Sequence, residues 1–244
     1  MSTEDRSADE KRAILRVERA TRVYRMGQVD VHALREATLA VYEGEFLAIV
    51  GPSGSGKTTL LNLIGGMDRP TSGAVHYRGE EISRYSDKDL TRYRRTQVGF
   101  IFQFFNLIPS LTALENVQVA TEIAPDPIDP MRALETVGIG ERADHFPGQL
   151  SGGEQQRVAI ARALAGNPAM FLCDEPTGSV DSDTAVQVLE ILRRLTRELA
   201  KTVIVITHNT AIPRMADRVA LLHDGSIKSV TVNEAPVSAS EVRW

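Results

Sequence analysis

The sequence has a single cysteine, Cys173, among its 244 residues. No disulfide can therefore form within the chain, and this usage suits a reducing compartment. It also has no stretch approaching the ~18–20 consecutive apolar residues of a membrane-spanning helix. Its densest apolar runs, Phe46–Val50 and Thr202–Ile206, are only of strand length. There is no surplus of basic charge: a formal net charge of -4 gives no electrostatic case for a nucleic-acid partner, and none is expected. Residues 1–12 contain no apolar segment behind a basic start, so they read as a polar, disordered leader rather than a targeting signal. Internal repeats and low-complexity segments are missing too. If the protein works at a membrane, another chain must cross it.

What is present is the balance of an ordinary globular protein, 42% hydrophobic and 25% charged, in a chain long enough to bury a sizeable core. β-branched and apolar runs predict strands at Ile14–Ala20, Thr38–Val41, Phe46–Val50, Val98–Phe102, Met170–Cys173 and Thr202–Ile206. Helices are expected from about Lys57 to Ile64, over Asp87–Arg95, and from about Gly152 to Ala165. A further helix over Asp183–Ala200 carries apolar residues at Val186, Leu189, Leu192, Leu195 and Leu199, with Asp181 or Ser182 as its cap. Arg69–Gly73 reads as a turn and Asp224-Gly225 as a hairpin. Between about 103 and 150 the strand-like runs stop, prolines cluster at Pro125, Pro127 and Pro130, and short helices are expected at Ala113–Val119 and Met131–Val137. This segment reads as a helical subdomain inserted into an α/β core, and alternating strands and helices predict a largely parallel sheet. Residues 229–244 carry little pattern and read as a tail.

Gly51-Pro52-Ser53-Gly54-Ser55-Gly56-Lys57-Thr58 lies between an apolar strand and a helix and satisfies G-x-x-x-x-G-K-[ST]. The glycines let the backbone curl so that its N–H groups face phosphate oxygens. The new helix adds the positive end of its dipole, Lys57 supplies a cation for the β- and γ-phosphates, and Thr58 offers a hydroxyl to Mg²⁺. A plain glycine-rich turn beside a lysine would not need that strand–loop–helix context. Further on, Met170–Cys173 is an apolar strand ending in Asp174-Glu175, at the sheet edge where ligands sit in open α/β folds. Asp174 is the expected Mg²⁺ partner, and Glu175 the group that polarises the attacking water. An acidic pair at a strand end is often only a solvated turn; the phosphate loop favours the functional reading. Cys173, inside that strand, reads as a core residue.

These features are common to many nucleotide-hydrolysing proteins. The segment Leu150-Ser151-Gly152-Gly153-Glu154-Gln155-Gln156-Arg157 is narrower: it closely resembles the LSGGQ signature of ATP-binding cassette (ABC) ATPases, differing at Glu154. Read physically it is a second anion site, made by Ser151, Gly152 and Gly153 at a helix start; the plain alternative is a serine N-cap. The resemblance covers nearly the whole chain and implies a P-loop NTPase core with a mostly parallel sheet, an antiparallel β subdomain and an inserted helical subdomain, together over residues 13–228. It implies that Gln103 touches Mg²⁺ or the attacking water, that Gly178-Ser179-Val180-Asp181 is the loop in which Asp181 lies, and that His208 contacts the γ-phosphate. It implies that Tyr24 stacks on adenine and that Thr59 joins the nucleotide site. In this family the signature of one subunit closes over ATP on the phosphate loop of another, so the expected assembly is a homodimer holding two ATP.

Further phrases resemble the ATPases of lipoprotein-release and macrolide-export systems, a branch that also contains the cell-division ATPase. They are Leu60–Gly73, Phe102–Pro109 and Thr112–Val117. The sequence departs from that branch in Gly178-Ser179-Val180-Asp181, usually Gly-Asn-Leu-Asp, and in a shortened stretch around Ile123–Pro130. The resemblance implies a transmembrane permease as partner and a cytoplasmic place on the inner face of the plasma membrane through it. Export, or extraction of lipoprotein or lipid, is the implied task; regulation of cell-wall or division machinery without cargo is the alternative. Phe104, Phe105, Leu107 and Ile108 are candidates for the partner groove. Soluble ABC proteins of ribosomes or DNA ends fit worse, since this chain has one cassette, no heptad insertion and an acidic balance. A small-molecule kinase would not need Ser151–Gln155 or His208.

Overall fold

The computed structural model describes residues 12–242; the leader expected over residues 1–12 lies outside them, Arg12 excepted. Strands β1 (Ala13–Met26) and β2 (Val29–Tyr42) form a long hairpin turning at Gly27. They belong to an antiparallel sheet of order β2-β1-β4-β5, completed by β4 (Ser72–Tyr77) and β5 (Glu80–Glu81). The second sheet has the order β10-β9-β3-β8-β7-β6. It contains β3 (Phe46–Val50), β6 (Val98–Ile101), β7 (Met170–Asp174), β8 (Thr202–Thr207), β9 (Arg218–His223) and β10 (Ser226–Val232). Its neighbours pair in parallel, except that β9 and β10 form an antiparallel hairpin. The helices are α1 (Lys57–Ile64), α2 (Asp87–Gln97), α3 (Ala113–Thr121), α4 (Pro130–Thr136), α5 (Gly152–Ala165) and α6 (Ser182–Arg197).

The parallel strands read as unbroken apolar runs because both faces of their sheet are covered. Side chains alternate across a strand, and here they alternate between two cores. Phe46, Phe171, Cys173, Val203 and Val205 pack with α3 to α6, whereas Leu47, Ile49, Leu172, Ile204 and Ile206 pack with α1 and the antiparallel sheet. Each fully buried side chain of this size contributes ~1.5–3 kcal/mol, and strands and helices both supply such side chains. Helices α3, α4 and α5 pack on one another within the first core.

Several strands run further than the sequence pattern suggests. β1 and β2 extend beyond Ala20 and start before Thr38 because their pairing continues through register breaks around Arg19 and Glu36, both with left-handed backbone. Such breaks scramble the alternation on which a strand is recognised. The chain is still a strand up to Val232, and Ala239 and Val242 are buried against α6.

Candidate functional site

The loop between β3 and α1 is built around backbone. A Cβ on Gly51 would lie 2.0 Å from the Leu222 carbonyl oxygen, and one on Gly56 would lie 2.3 Å from that of Ala33. Gly56 also has φ +102°, a conformation that L side chains rarely adopt. The loop is therefore wedged between β9 and β2, and glycine is required at both positions. Lys57 is 8% exposed, and its Nζ donates to the carbonyls of Gly51 (2.8 Å) and Pro52 (3.0 Å). Ser55 is buried and its hydroxyl oxygen has no protein partner.

Opposite the loop, β7 delivers Asp174 and Glu175. Thr58 Oγ1 donates to Asp174 Oδ2 at 3.3 Å. Burial pushes the Asp174 carboxyl above its usual range, against the Thr58 hydrogen bond, while the neighbouring Glu175 charge adds to the rise and Lys57 opposes it. Glu175 sits in left-handed backbone, φ +46°, a strained position for a non-glycine residue. Its carboxylate is held by three donors at the end of β8: Thr207 Oγ1 to Oε2 (2.8 Å), the His208 amide to Oε1 (2.9 Å) and His208 Nδ1 to Oε1 (2.7 Å). Because a carboxylate only accepts, Nδ1 carries the proton and Nε2 is the ring nitrogen left to face outward. The His208 side chain is 68% exposed.

These groups line one cleft of about 520 Å³, bounded by Ser53, Gly54, Lys57, Thr58, Gln103, Asp174, Glu175 and His208, with Phe102, Phe104 and Asn106 completing the wall. The structure thus gathers Ser53, Gly54, Lys57, Thr58, Gln103, Asp174, Glu175 and His208 of the residues expected from the sequence. Gln103 packs on Gly178, where a Cβ would come within 3.0 Å of its amide nitrogen. Thr207 was not anticipated; a threonine just before the histidine at a strand end was the available signal.

Other candidates lie elsewhere. Tyr24 is outside the cleft lining; its hydroxyl donates to Asp68 Oδ2 (2.7 Å), and the Arg22 guanidinium lies over its ring, 4.6 Å from the centroid. Thr59 is on α1 behind the loop. Ser151 caps α5 by accepting from the Glu154 amide (3.3 Å), and Glu154 accepts from the Ser151 amide (2.8 Å). That reciprocal pair is a capping box, and the Ser151 amide lowers the Glu154 carboxyl below its usual range. The plain N-cap role therefore holds within this chain, and the substitution at Glu154 completes the box. Gly152 and Gly153 open the same helix, away from the cleft of their own chain. Asp181 caps α6, accepting from the amide and hydroxyl of Thr184 at 3.0 and 2.7 Å.

Residues 34–178 match the ABC transporter family. The chain belongs to that family. A lipoprotein-releasing system ATP-binding protein, LolD of Geobacter metallireducens, is 44% identical over 88% of this chain and 98% of its own length. The macrolide export ATP-binding/permease protein MacB of Rhodopirellula baltica is 44% identical over 84% of this chain, which spans 31% of that longer protein. Among solved structures, the ATP-binding cassette MJ0796 of Methanocaldococcus jannaschii superposes with a TM-score of 0.83 at 40% identity, covering 91% of this chain and 99% of that one. That structure is a dimer in a post-hydrolysis state bound to ADP and Pi. This ABC cassette is accordingly an ATPase, and its two-sheet architecture with inserted helices is the family's fold.

Proposed function

We propose that this ABC cassette binds Mg²⁺–ATP at the cleft, dimerises through it, and uses hydrolysis to drive a separate transmembrane partner. The observation that carries the reading is the convergence of Lys57, Thr58, Asp174, Glu175 and His208 on one cleft beside the glycine loop. The loop amides and Lys57 are suited to the phosphates, and the unpartnered Ser55 hydroxyl lies within that loop. Thr58 and Asp174 form a hydroxyl–carboxylate pair of hard oxygens, which fits Mg²⁺ because that ion takes one or two protein oxygens and completes its shell with phosphates and water. When bound, Mg²⁺ neutralises charge on the β- and γ-phosphates. Glu175, fixed by Thr207 and His208, is oriented to accept a proton from water, and Gln103 faces the same space. With Nδ1–H held by Glu175, His208 Nε2 could donate to a phosphate only from the imidazolium form of the ring.

Ser151, Gly152 and Gly153 do not reach the cleft of their own chain, which supports a dimer in which each signature helix completes the partner's site. The MJ0796 dimer is a precedent for that assembly. Phe104 is 71% exposed and Ile108 42% exposed, leaving an apolar surface beside the cleft for a helix of the membrane partner; Leu107 instead packs against the core. No helix among the described residues is long and apolar enough to cross a membrane, which fits a separate permease. The relatives named for lipoprotein release and macrolide export support export or extraction as the task.

Glu175→Gln tests the central role. The amide keeps the shape but cannot accept a proton from water, so turnover should fall by about 10²–10⁴-fold while ATP binding persists and dimers accumulate in size-exclusion chromatography. Turnover like that of the wild type would remove Glu175 from the role.

A further inference from the structure

Two polar side chains that play no part in the reading above lie on helix α5, and both hydrogen-bond to backbone carbonyls in the segments that carry Gln103 and Glu175. Gln156 is fully buried, at 0% exposure. Its Nε2 donates to the Pro176 carbonyl at 2.7 Å and lies at the 3.5 Å limit from the Phe102 carbonyl. Both neighbours are acceptors, so the amide orientation is fixed by chemistry: the nitrogen must face them. Its Oε1 is buried with no partner, a cost that a side chain chosen only for packing would not carry. Six positions further along the helix, Arg162 donates from Nη1 to the Asn106 carbonyl (2.6 Å) and from Nη2 to the Phe105 carbonyl (2.9 Å). Burial holds its guanidinium below its ordinary pKa, and carbonyl oxygens are its hydrogen-bond partners.

The bonded carbonyls are not scattered. Pro176 directly follows Glu175, Phe102 directly precedes Gln103, and Phe105 and Asn106 close the same loop. Glu175 has the strained φ of +46°, whereas Asn106 at φ +51° is in a region asparagine tolerates, so it is the turn at Glu175 that gains most from an external hold. Gly178, on the chain just beyond Pro176, packs on the Gln103 side chain, so the two gripped loops also touch each other.

We propose that Gln156 and Arg162 are positioning residues for hydrolysis: α5 holds the peptide after Glu175 and the loop around Gln103 in one geometry. The helix that begins at Ser151 thereby sets the placement of its own chain's water-activating groups, and a shift of α5 would move them together. This rests on the assignment of Glu175 and Gln103 to hydrolysis. It places neither Gln156 nor Arg162 against nucleotide.

The test uses the full chain with two variants. Gln156→Met keeps length and volume and removes the donor along with the unpartnered oxygen, so packing alone predicts unchanged or improved stability. Arg162→Lys keeps the charge but cannot span two carbonyls as a fork does. ATP affinity, ATPase kcat and KM, thermal denaturation, and hydrogen exchange over residues 103–108 are measured for each. The expected result is a fall in kcat of about 10- to 100-fold, the range for misplaced reacting groups, with KM and nucleotide affinity within about twofold on the same ground. Exchange over residues 103–108 should also quicken in Arg162→Lys. A variant that melts like the wild type and keeps its kcat overturns the proposal, as does a fall in affinity equal to the fall in kcat. If Gln156→Met fails to fold, Arg162→Lys decides alone by the same criteria. Glu175→Gln measured alongside separates the two failures: if it too retains turnover, the hydrolytic assignment is wrong; if it alone loses turnover, only the positioning role is wrong.

Discussion

Gly153→Ala offers a test in which two effects of similar size oppose each other. Gly153 is the second residue of α5, and alanine in place of glycine within a helix is favoured by up to ~1 kcal/mol. Against this, the new Cβ would lie 2.0 Å from Thr184 Cγ2 and 3.1 Å from Thr184 Cβ and Oγ1. Thr184 cannot simply turn away. Its hydroxyl donates to Asp181 Oδ2 at 2.7 Å, a bond worth ~1.5–3 kcal/mol to a charged acceptor if buried and less on this exposed surface. Overpacking costs ~1–3 kcal/mol, so the clash wins and Gly153→Ala should lose about 1–2 kcal/mol net. Thr184→Ser deletes Cγ2 and keeps the hydroxyl, at a cost of under about 1 kcal/mol alone. Combined with Gly153→Ala it should relieve the clash, giving a coupling of at least about 1 kcal/mol in the double-mutant cycle. Urea denaturation of the nucleotide-free chain, followed by circular dichroism, measures all four proteins. Gly153→Ala at or above wild-type stability, or additive losses, would refute the packing account and leave phosphate contact as the sole reason for this glycine.

Arg218→Met should be among the costliest surface-proximal changes. Arg218 Nη1 donates to Glu45 Oε1 and Oε2 at 3.1 and 3.2 Å, and Glu45 is 2% exposed, so at neutral pH its removal leaves a buried charge uncompensated, at about 3–5 kcal/mol. Burial already raises the Glu45 pKa, against the Tyr42 amide and Arg218. A carboxyl raised on folding favours the protonated native state, so the variant's deficit should shrink as pH falls through that raised value and grow as pH rises through it; melting curves at several pH values relative to wild type would read this. Asp174→Asn should behave in the opposite way. Because burial raises Asp174 above its ordinary value, the ionised carboxylate costs stability once pH exceeds that value. The amide should therefore raise the neutral-pH stability of the nucleotide-free chain by about 0.5–2 kcal/mol while abolishing the extra stabilisation by Mg²⁺–ATP over ATP alone; an unchanged or lower melting temperature without nucleotide would contradict it.

The cleft was legible in the sequence where chemistry demands particular residues in a row. The glycine loop, the Asp174-Glu175 pair and His208 each follow an apolar strand, so the strand places them at one sheet edge whatever the rest of the fold does. Helices α1 and α5 were equally plain, since a glycine-rich entry and a serine cap mark where each begins. The antiparallel sheet was harder, because the bulges at Arg19 and Glu36 break the two-residue period and β4 opens with Ser72-Gly73. Gln156 and Arg162 escaped for another reason: on a helix, glutamine and arginine ordinarily mark the solvent face. Only the neighbouring carbonyls, brought in from distant parts of the chain, reveal that these two point inward. Thr207 is a similar case, a polar residue that ends an apolar strand and is fully buried.

The alternation of β3, β7 and β8 between two cores has a consequence for how such a chain can change over time. Odd and even positions of one strand answer to different neighbours, so the central sheet acts as a party wall between two separately furnished rooms. Phe46 or Val205 can be exchanged to suit a remodelled set of helices on one side while Leu47 and Ile206 go on supporting the phosphate loop on the other. A lineage can thus exchange core side chains on the helical side without disturbing the packing beneath the phosphate loop, so long as α5 keeps its hold on the segments of Gln103 and Pro176.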